Sequence, residues 1–203
     1  HYSSRRQRQM CIRDRAKSVI LGENGLASHM SKGGAVLLTA TIKPLEAREI
    51  DNALQGSGVH LIDSPVSGGF PRAQNGTLTM MAAAESDVLN KYATIMEAVS
   101  STIHRVGTHA GDGQVMKSCL QTLIGSIFGA TFEAAALAAK AGVSGQALYD
   151  VFSTSGAGCG VANVALENII DRKFEGTGSG IGTMHKDLTI SLNLSLIHIS
   201  EPT

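Results

Sequence analysis

Between Asp112 and Ala141 the chain keeps a helical pattern with no proline to break it, and this stretch limits what the rest can become. Val115, Met116, Cys119, Leu120, Leu123, Ile124, Ile127 and Phe128 leave almost no polar face. A helix apolar nearly all round is expected to be buried. At about 1.5 Å per residue it spans roughly 45 Å, longer than one small domain needs. Lys117 sits one turn inside it, and Gln121 follows at i+4 on the same face. A lysine in apolar surroundings loses solvation, its ammonium form is disfavoured, and its pKa falls toward the range of an acid/base catalyst. The alternative is a lysine whose apolar stem snorkels to water.

The pattern before this helix is different. Ala35–Ile42 is a short apolar run rich in β-branched residues and reads as a buried strand. Pro44 suits a first helical position, and Leu45 to Gln55 reads as an amphipathic helix carrying Leu45, Ile50 and Leu54. Gly56-Ser-Gly58 follows a helix and precedes a strand. That order excludes a phosphate-binding turn and assigns a helix C-cap. Val59–Asp63, Thr77–Ala82 and Ser100–Val106 are expected strands, with a helix over Glu85–Val99. Strands alternating with helices indicate an α/β sheet with helical crossovers. After Gly107 everything reads as helix: the long one, then Gly145–Ser153, Cys159–Phe174, and a last stretch at His185-Lys-Asp-Leu beyond a Gly-rich loop over Gly176–Gly182. That loop is read as a connector, with a lid as the second reading. One boundary, near Gly107, separates a sheet domain from a helical domain.

Composition removes several classes of function. Lys and Arg together number 17, as do Asp and Glu, so the formal charge is zero and nothing points to nucleic acid. The balance is uneven along the chain. Five arginines fall in the first fifteen residues, and from Ala16 to Leu194 there are 12 basic against 15 acidic residues. The basic opening has no apolar core and is not a signal peptide. It resembles translated sequencing read-through, as does the ending Ser-Leu-Ile-His-Ile-Ser-Glu-Pro-Thr. Residues 1–15 and 195–203 are therefore set aside as non-native scars. Cys11, Cys119 and Cys159 show no paired spacing, which suggests a reducing, cytoplasmic compartment and neither disulfide nor metal site. No apolar run is read as long enough to span a membrane.

Ser64-Pro-Val-Ser-Gly-Gly69 lies at the carboxyl end of an expected strand, where open α/β sheets place their ligands. Paired glycines let backbone N–H groups approach a small anion, and Ser67 adds a hydroxyl. On spacing alone this could equally be an ordinary turn.

Together the motifs identify a resemblance. Asp63-Ser-Pro-Val-Ser-Gly-Gly69 with Ala73 and Gly76-Thr-Leu78 resembles the substrate-binding signature of the β-hydroxyacid dehydrogenases, the family of 3-hydroxyisobutyrate, tartronate semialdehyde and L-threonate enzymes. Gly111-x-Gly113 followed by Lys117 resembles its loop and catalytic lysine, and His185-Lys186-Asp187-Leu188 its C-terminal Lys-Asp-Leu element. The resemblance runs from Ala16 to Leu194. It implies a Rossmann-type α/β domain, of which residues 16–106 are the C-terminal half. An incomplete all-α domain like that of 6-phosphogluconate dehydrogenase follows over 107–194.

The same resemblance implies roles. Lys117 would exchange a proton with the substrate hydroxyl during hydride transfer to NAD or NADP. Ser67, Gly68 and Gly69 would hold the substrate carboxylate. Gln121 stands where many members carry asparagine and looks closer to the branch acting on four-carbon sugar acids such as threonate. Thr41 resembles a cofactor-contacting hydroxyl, and Lys186 would close over the nicotinamide side with Asp187 orienting it. Glu133 is expected as a buried structural carboxylate. A small hydroxy acid is the implied substrate, and homo-oligomers through the helical domain the implied assembly, with no nucleic-acid or membrane partner. The family's first strand, Gly-rich turn and helix find no counterpart before Ala16, nor its last helices after Leu194, so the chain itself is expected to be inactive. A 6-phosphogluconate substrate is disfavoured by Gly76-Thr-Leu-Thr and Leu120-Gln121 where that branch carries Gly-Pro-Ser and His-Asn. Imine reductases, which usually replace the lysine, are disfavoured by Lys117. A non-catalytic helical dimerisation module is the reading from another class.

Overall fold

A computed structural model describes residues 12–177 and 180–200, with side chains described for 15–177 and 180–195. Arg5, Arg6, Arg8 and Cys11 of the basic opening, and Gly178 and Ser179 of the Gly-rich loop, lie outside the described residues. Two compact units are present. One comprises the chain up to Ser118 together with the segment from Leu192, and the other runs from Cys119 to Ser191. The division falls inside the long helix, beyond the loop at Gly107 where the sequence pattern changes.

The first unit begins with helices α1 (Ile12–Leu21) and α2 (Leu26–His29). Helix α1 starts ahead of Ala16 and so crosses the edge of the segment set aside as a scar. Strand β1 (Ala35–Leu38), helix α3 (Pro44–Leu54) and strand β2 (His60–Asp63) form a parallel β-α-β unit, with Leu38 paired to Asp63. Helix α3 places Ala47, Ile50 and Leu54 inward, all at most 2% exposed. Leu45, expected on that face, is 56% exposed, because it lies two residues from Ala47 and hence on the opposite side. Its N-terminus is closed by a capping box, in which the Lys43 N–H donates to Glu46 Oε2 at 3.1 Å.

Beyond β2, Ser64 and Pro65 break the strand, and β3 (Val66–Ser67) resumes it. Both β2 and β3 lie antiparallel to β4 (Leu78–Ala83), at Asp63–Ala83 and at Val66–Met80. Strand β5 (Ser100–Gly107) lies parallel on the other edge of β4. The sheet is therefore mixed. A short helix, α4 (Gly69–Gln74), links β3 to β4 where the sequence suggested only a turn. The single helix expected over Glu85–Val99 is two, α5 (Ser86–Lys91) and α6 (Ala93–Val99). They break at Tyr92, whose hydroxyl donates to the Gly33 carbonyl. Alternation along β2 sends Leu61 into a cluster with Ile20, Val36, Ile50 and Leu54 and Ile62 into another with Met80, Leu89 and Met96. Both faces of the sheet are thus buried, which is why these strands read as apolar runs.

Helix α7 (Asp112–Lys140) starts in the first unit and continues into the second. The second unit adds α8 (Gly145–Thr154), α9 (Gly160–Ile170) and α10, which runs from Ile181 to Ser200 and leaves this unit after Ser191. Ser144 caps α8 by accepting from the Ala147 N–H at 3.2 Å. Gly125 of α7 lets Leu188 of α10 approach, since an added Cβ would lie 2.8 Å from Leu188 Cδ2.

The expectation of an all-round buried α7 is overturned. Its buried side chains are the polar ones, Gln114, Lys117, Ser118, Gln121 and Thr131, while Met116, Leu123, Phe132 and Leu137 are 45–70% exposed. The helix is also long and apolar enough to cross a membrane by length and composition, contrary to the reading of the sequence. Core helices of folds that never enter a membrane can reach the same length and composition.

Candidate active site

The site is built from the start of α7. Gly113 allows the helix to abut the sheet directly: an added Cβ would meet Met81 O at 2.7 Å and Asp63 O at 2.9 Å. Asp63, wholly buried at the end of β2, closes the helix N-terminus. Its Oδ2 accepts the N–H groups of Gly111 at 2.9 Å and Gln114 at 3.2 Å. A negative group there meets the positive end of the helix dipole. Burial nevertheless raises the Asp63 pKa above the ordinary carboxylate value, against the opposing pull of its hydrogen bonds with Gln114, Gly111 and Gly113.

Gln114, fully buried, uses its amide three times. Oε1 accepts from the Ile42 N–H at 3.0 Å, and Nε2 donates to Ala40 O at 3.1 Å and to Asp63 Oδ1 at 2.7 Å. These bonds grip both sides of Thr41, which is half-buried in the loop after β1. Lys117 comes one turn later and is only 6% exposed. The snorkelling alternative is therefore removed.

Ser67 ends β3 and is half-buried, as is Gly68, while Gly69 opens α4 and is exposed. Gly68 has φ 134°, and a Cβ there would fall 2.6 Å from Arg72 Cδ, so only glycine fits beneath the arginine stem.

In the second unit, Gln121 and Lys186 meet at one carboxylate. Gln121 Nε2 donates to Asp187 Oδ2 at 2.7 Å, and Lys186 Nζ lies 2.7 Å from Asp187 Oδ1. Asp187 is 4% exposed and Gln121 7%. Lys117 and Gln121 are one helical turn apart on α7. Of the residues singled out from sequence, Thr41, Ser67, Gly68, Gly69 and Lys117 thus belong to the first unit, and Gln121 and Lys186 to the second. Glu133, expected to be buried, is exposed. Sequence reasoning missed Gln114 and treated Asp63 as part of a motif only. The available signal was spacing: Gln114, Lys117 and Gln121 share one face of an otherwise apolar helix.

Elsewhere, an open cleft at the start of β2 is bordered by Asp51, His60, Glu85 and His109. Burial there raises the Asp51 pKa, with His60 and His109 opposing it. Among the described residues no group of three or more His, Cys, Asp or Glu side chains could hold a metal ion.

Two family models match in succession. Residues 10–107 match the NAD-binding domain of 6-phosphogluconate dehydrogenase, and residues 111–197 the NAD-binding domain of NADP-dependent 3-hydroxyisobutyrate dehydrogenase. The chain belongs to the β-hydroxyacid dehydrogenase family. Within this family it is 35% identical over 172 residues to an L-threonate dehydrogenase of Escherichia coli O6:H1, covering 85% of this chain and 57% of that protein. It is also 35% identical over 151 residues to a NAD-dependent L-serine dehydrogenase of Pseudomonas aeruginosa, covering 74% and 49%. The solved structure of a 3-hydroxyisobutyrate dehydrogenase from Salmonella typhimurium superposes with a TM-score of 0.83 at 28% identity, over 94% of this chain and 66% of that one. The chain thus spans about half the length of the curated relatives it matches. The family's fold, a Rossmann-like domain followed by a helical one, is the fold described above.

Proposed function

We propose that this chain is part of an NAD(P)-dependent dehydrogenase acting on the CH–OH group of a small hydroxy acid, with a four-carbon sugar acid such as threonate as the preferred substrate. The observation that carries the reading is the burial of Lys117 on the polar face of α7, one turn beyond Gln114 and one turn before Gln121. NAD or NADP, when bound, supplies the hydride acceptor. The adjoining carboxyl ends of parallel β1 and β2 suit such a group, and Thr41, just beyond β1, would contact it. Ser67, Gly68 and Gly69 bind the substrate carboxylate through a hydroxyl and backbone N–H groups. Lys117 takes the hydroxyl proton as the carbonyl forms and returns it in the reverse direction. Gln121 orients the remaining hydroxyls, and Asp187 holds both Gln121 and Lys186 in place. Glutamine at 121 and the L-threonate dehydrogenase relatives favour the longer sugar acid over 3-hydroxyisobutyrate.

The sequence contains no Gly-x-Gly-x-x-Gly turn, so the 203-residue chain alone is read as a poor catalyst. The test is reduced-cofactor formation from L-threonate, 3-hydroxyisobutyrate and L-serine. It is run with this chain and with a longer protein that joins it to such a turn, each beside its Lys117→Ala variant. Turnover of threonate by the longer protein, lost in the variant with the fold intact, supports the reading. Equal rates with and without Lys117 would remove it. A non-catalytic dimerisation module is favoured by one observation, the exposure of Leu123, Phe132 and Leu137. The same residues suit homo-oligomers of the dehydrogenase, which sedimentation would reveal. A cytoplasmic location remains part of this proposal.

A further inference from the structure

Three segments must keep a fixed geometry for the proposed chemistry: the Thr41 loop, the strand end leading into Ser67–Gly69, and the start of α7 carrying Lys117. Two side chains join all three. Gln114 reaches from α7 to both peptide neighbours of Thr41, through Ile42 N–H and Ala40 O, and to Asp63 Oδ1. Asp63, at the end of β2, reaches back to the Gly111 and Gln114 N–H groups with its other oxygen. Both side chains are wholly excluded from water. A buried amide has four hydrogen-bonding positions, and three are used here within 3.1 Å. Little angular freedom is left, because each bond fixes the direction of the others.

We infer that Gln114 and Asp63 form a positioning latch that sets Lys117 against the Thr41 loop and the Ser67–Gly69 strand end. No hydrophobic contact could replace it, since dispersion is non-directional and would tolerate sliding of α7 along the sheet. An amide matched to a carboxylate and two peptide groups permits one register only. Gln114 therefore acts through Lys117 and is not itself a catalytic residue. Asp63 serves two purposes in the latch, fixing Gln114 and closing the first turn of α7.

The inference rests on the reading of Lys117 as the proton-transfer group, but its test does not require turnover. Acylation of the Lys117 amine in the 203-residue chain is followed by mass spectrometry across a pH series, alongside thermal melting. Gln114→Met, similar in volume and unable to hydrogen-bond in this way, is expected to raise the Lys117 rate about tenfold, the factor that losing one or two net hydrogen bonds gives. Met96→Ala serves as the control, since it removes buried apolar volume from the same unit in the other core cluster, which includes neither Ala40, Ile42 nor Asp63. It should lower the melting temperature and leave Lys117 labelling within about twofold of the parent. Equal acceleration in both variants, or none in Gln114→Met, overturns the latch. Should Gln114→Met fail to fold, Asp63→Asn replaces it. That substitution keeps the shape but sets an amide N–H₂ group against the backbone donors of α7 or against Gln114, and unchanged labelling would be equally fatal. Absent threonate turnover in the longer protein would remove the reading of Lys117 as catalyst and leave this comparison intact.

Discussion

Helix α7 carries two glutamines seven residues apart, and each gives its amide to a buried aspartate at 2.7 Å, Gln114 to Asp63 and Gln121 to Asp187. The pairs flank Lys117, one in each compact unit. Their surroundings differ in one respect. Asp63 has only neutral donors around it, whereas Asp187 also holds the Lys186 ammonium at 2.7 Å. A buried carboxylate with neutral partners is costly to ionise, and burial accordingly raises the Asp63 pKa. Asp187 instead has a cation as its second partner. The first pair is thus suited to fixing backbone, the second to fixing a charged side chain. The same residue types do different work because their third partner differs.

The largest effect that sharpens this contrast lies between the pairs. Lys117→Ala in the longer protein should lower kcat by about 10²–10⁴-fold, the usual contribution of a positioned acid/base, with an unchanged circular dichroism spectrum. A loss below tenfold would make the two pairs structural ornaments of a helix with no catalytic lysine between them. Next comes Gly113→Ala, which pushes a methyl into Met81 O and Asp63 O and should displace α7 from the first pair. A loss of about 1–3 kcal/mol in urea unfolding is expected, since overpacking of this kind costs that much.

Shortening the other glutamine tests the second pair. Gln121→Asn pulls the amide one methylene back from Asp187 and should cost about 1–3 kcal/mol, the penalty for an under-served buried charge. It should also shift kcat/KM from threonate toward shorter hydroxy acids. An unchanged substrate ratio would deny Gln121 its part in specificity.

The electrostatic difference itself is read from pH. Asp63 has a folded-state pKa above its unfolded value, so the folded protein binds more protons between the two. The stability Asp63 contributes is fully present below the unfolded value and is lost as pH rises through the folded one. Asp51 is shifted in the same direction and adds a like slope. Asp63→Asn should therefore flatten, without abolishing, the fall in unfolding free energy as pH rises from about 4, the ordinary carboxylate value. Superposable pH profiles for parent and variant would mean that Asp63 titrates alike in both states. Smallest of all is Glu133→Gln. An exposed position away from both pairs should change stability by no more than about 0.5 kcal/mol, and a larger loss would reveal a partner for that face of α7.

Much of the first unit was legible because short apolar runs rich in β-branched residues between turn signals mark buried strands, and β1, β2 and β4 lie where such runs occur; β5, polar and mostly exposed, also lies where a strand was expected. The break at Tyr92 was not legible, since Val88, Leu89, Tyr92 and Met96 keep helical spacing straight through it. Helix α4 was hidden behind Gly68 and Gly69, whose turn chemistry reads the same whether a helix follows or not. The site divides in the same manner. Lys117, Gln121 and the Ser67–Gly69 strand end could be named from motif and spacing, but the partner of each glutamine lies at least 51 residues away and leaves no local trace.

The sequence by itself determined the order of elements, the family and the pairing of Lys117 with Gln121 at i and i+4, because periodicity and local turn chemistry act over a few residues. Only the tertiary structure decided which face of α7 is covered. A helix apolar nearly all round gives no phase to read, and its polar side chains turned inward because buried carboxylates at Asp63 and Asp187 awaited hydrogen-bond donors. An unpaired buried carboxylate costs more than an exposed leucine, so polar pairing rather than hydrophobicity set the orientation of the helix.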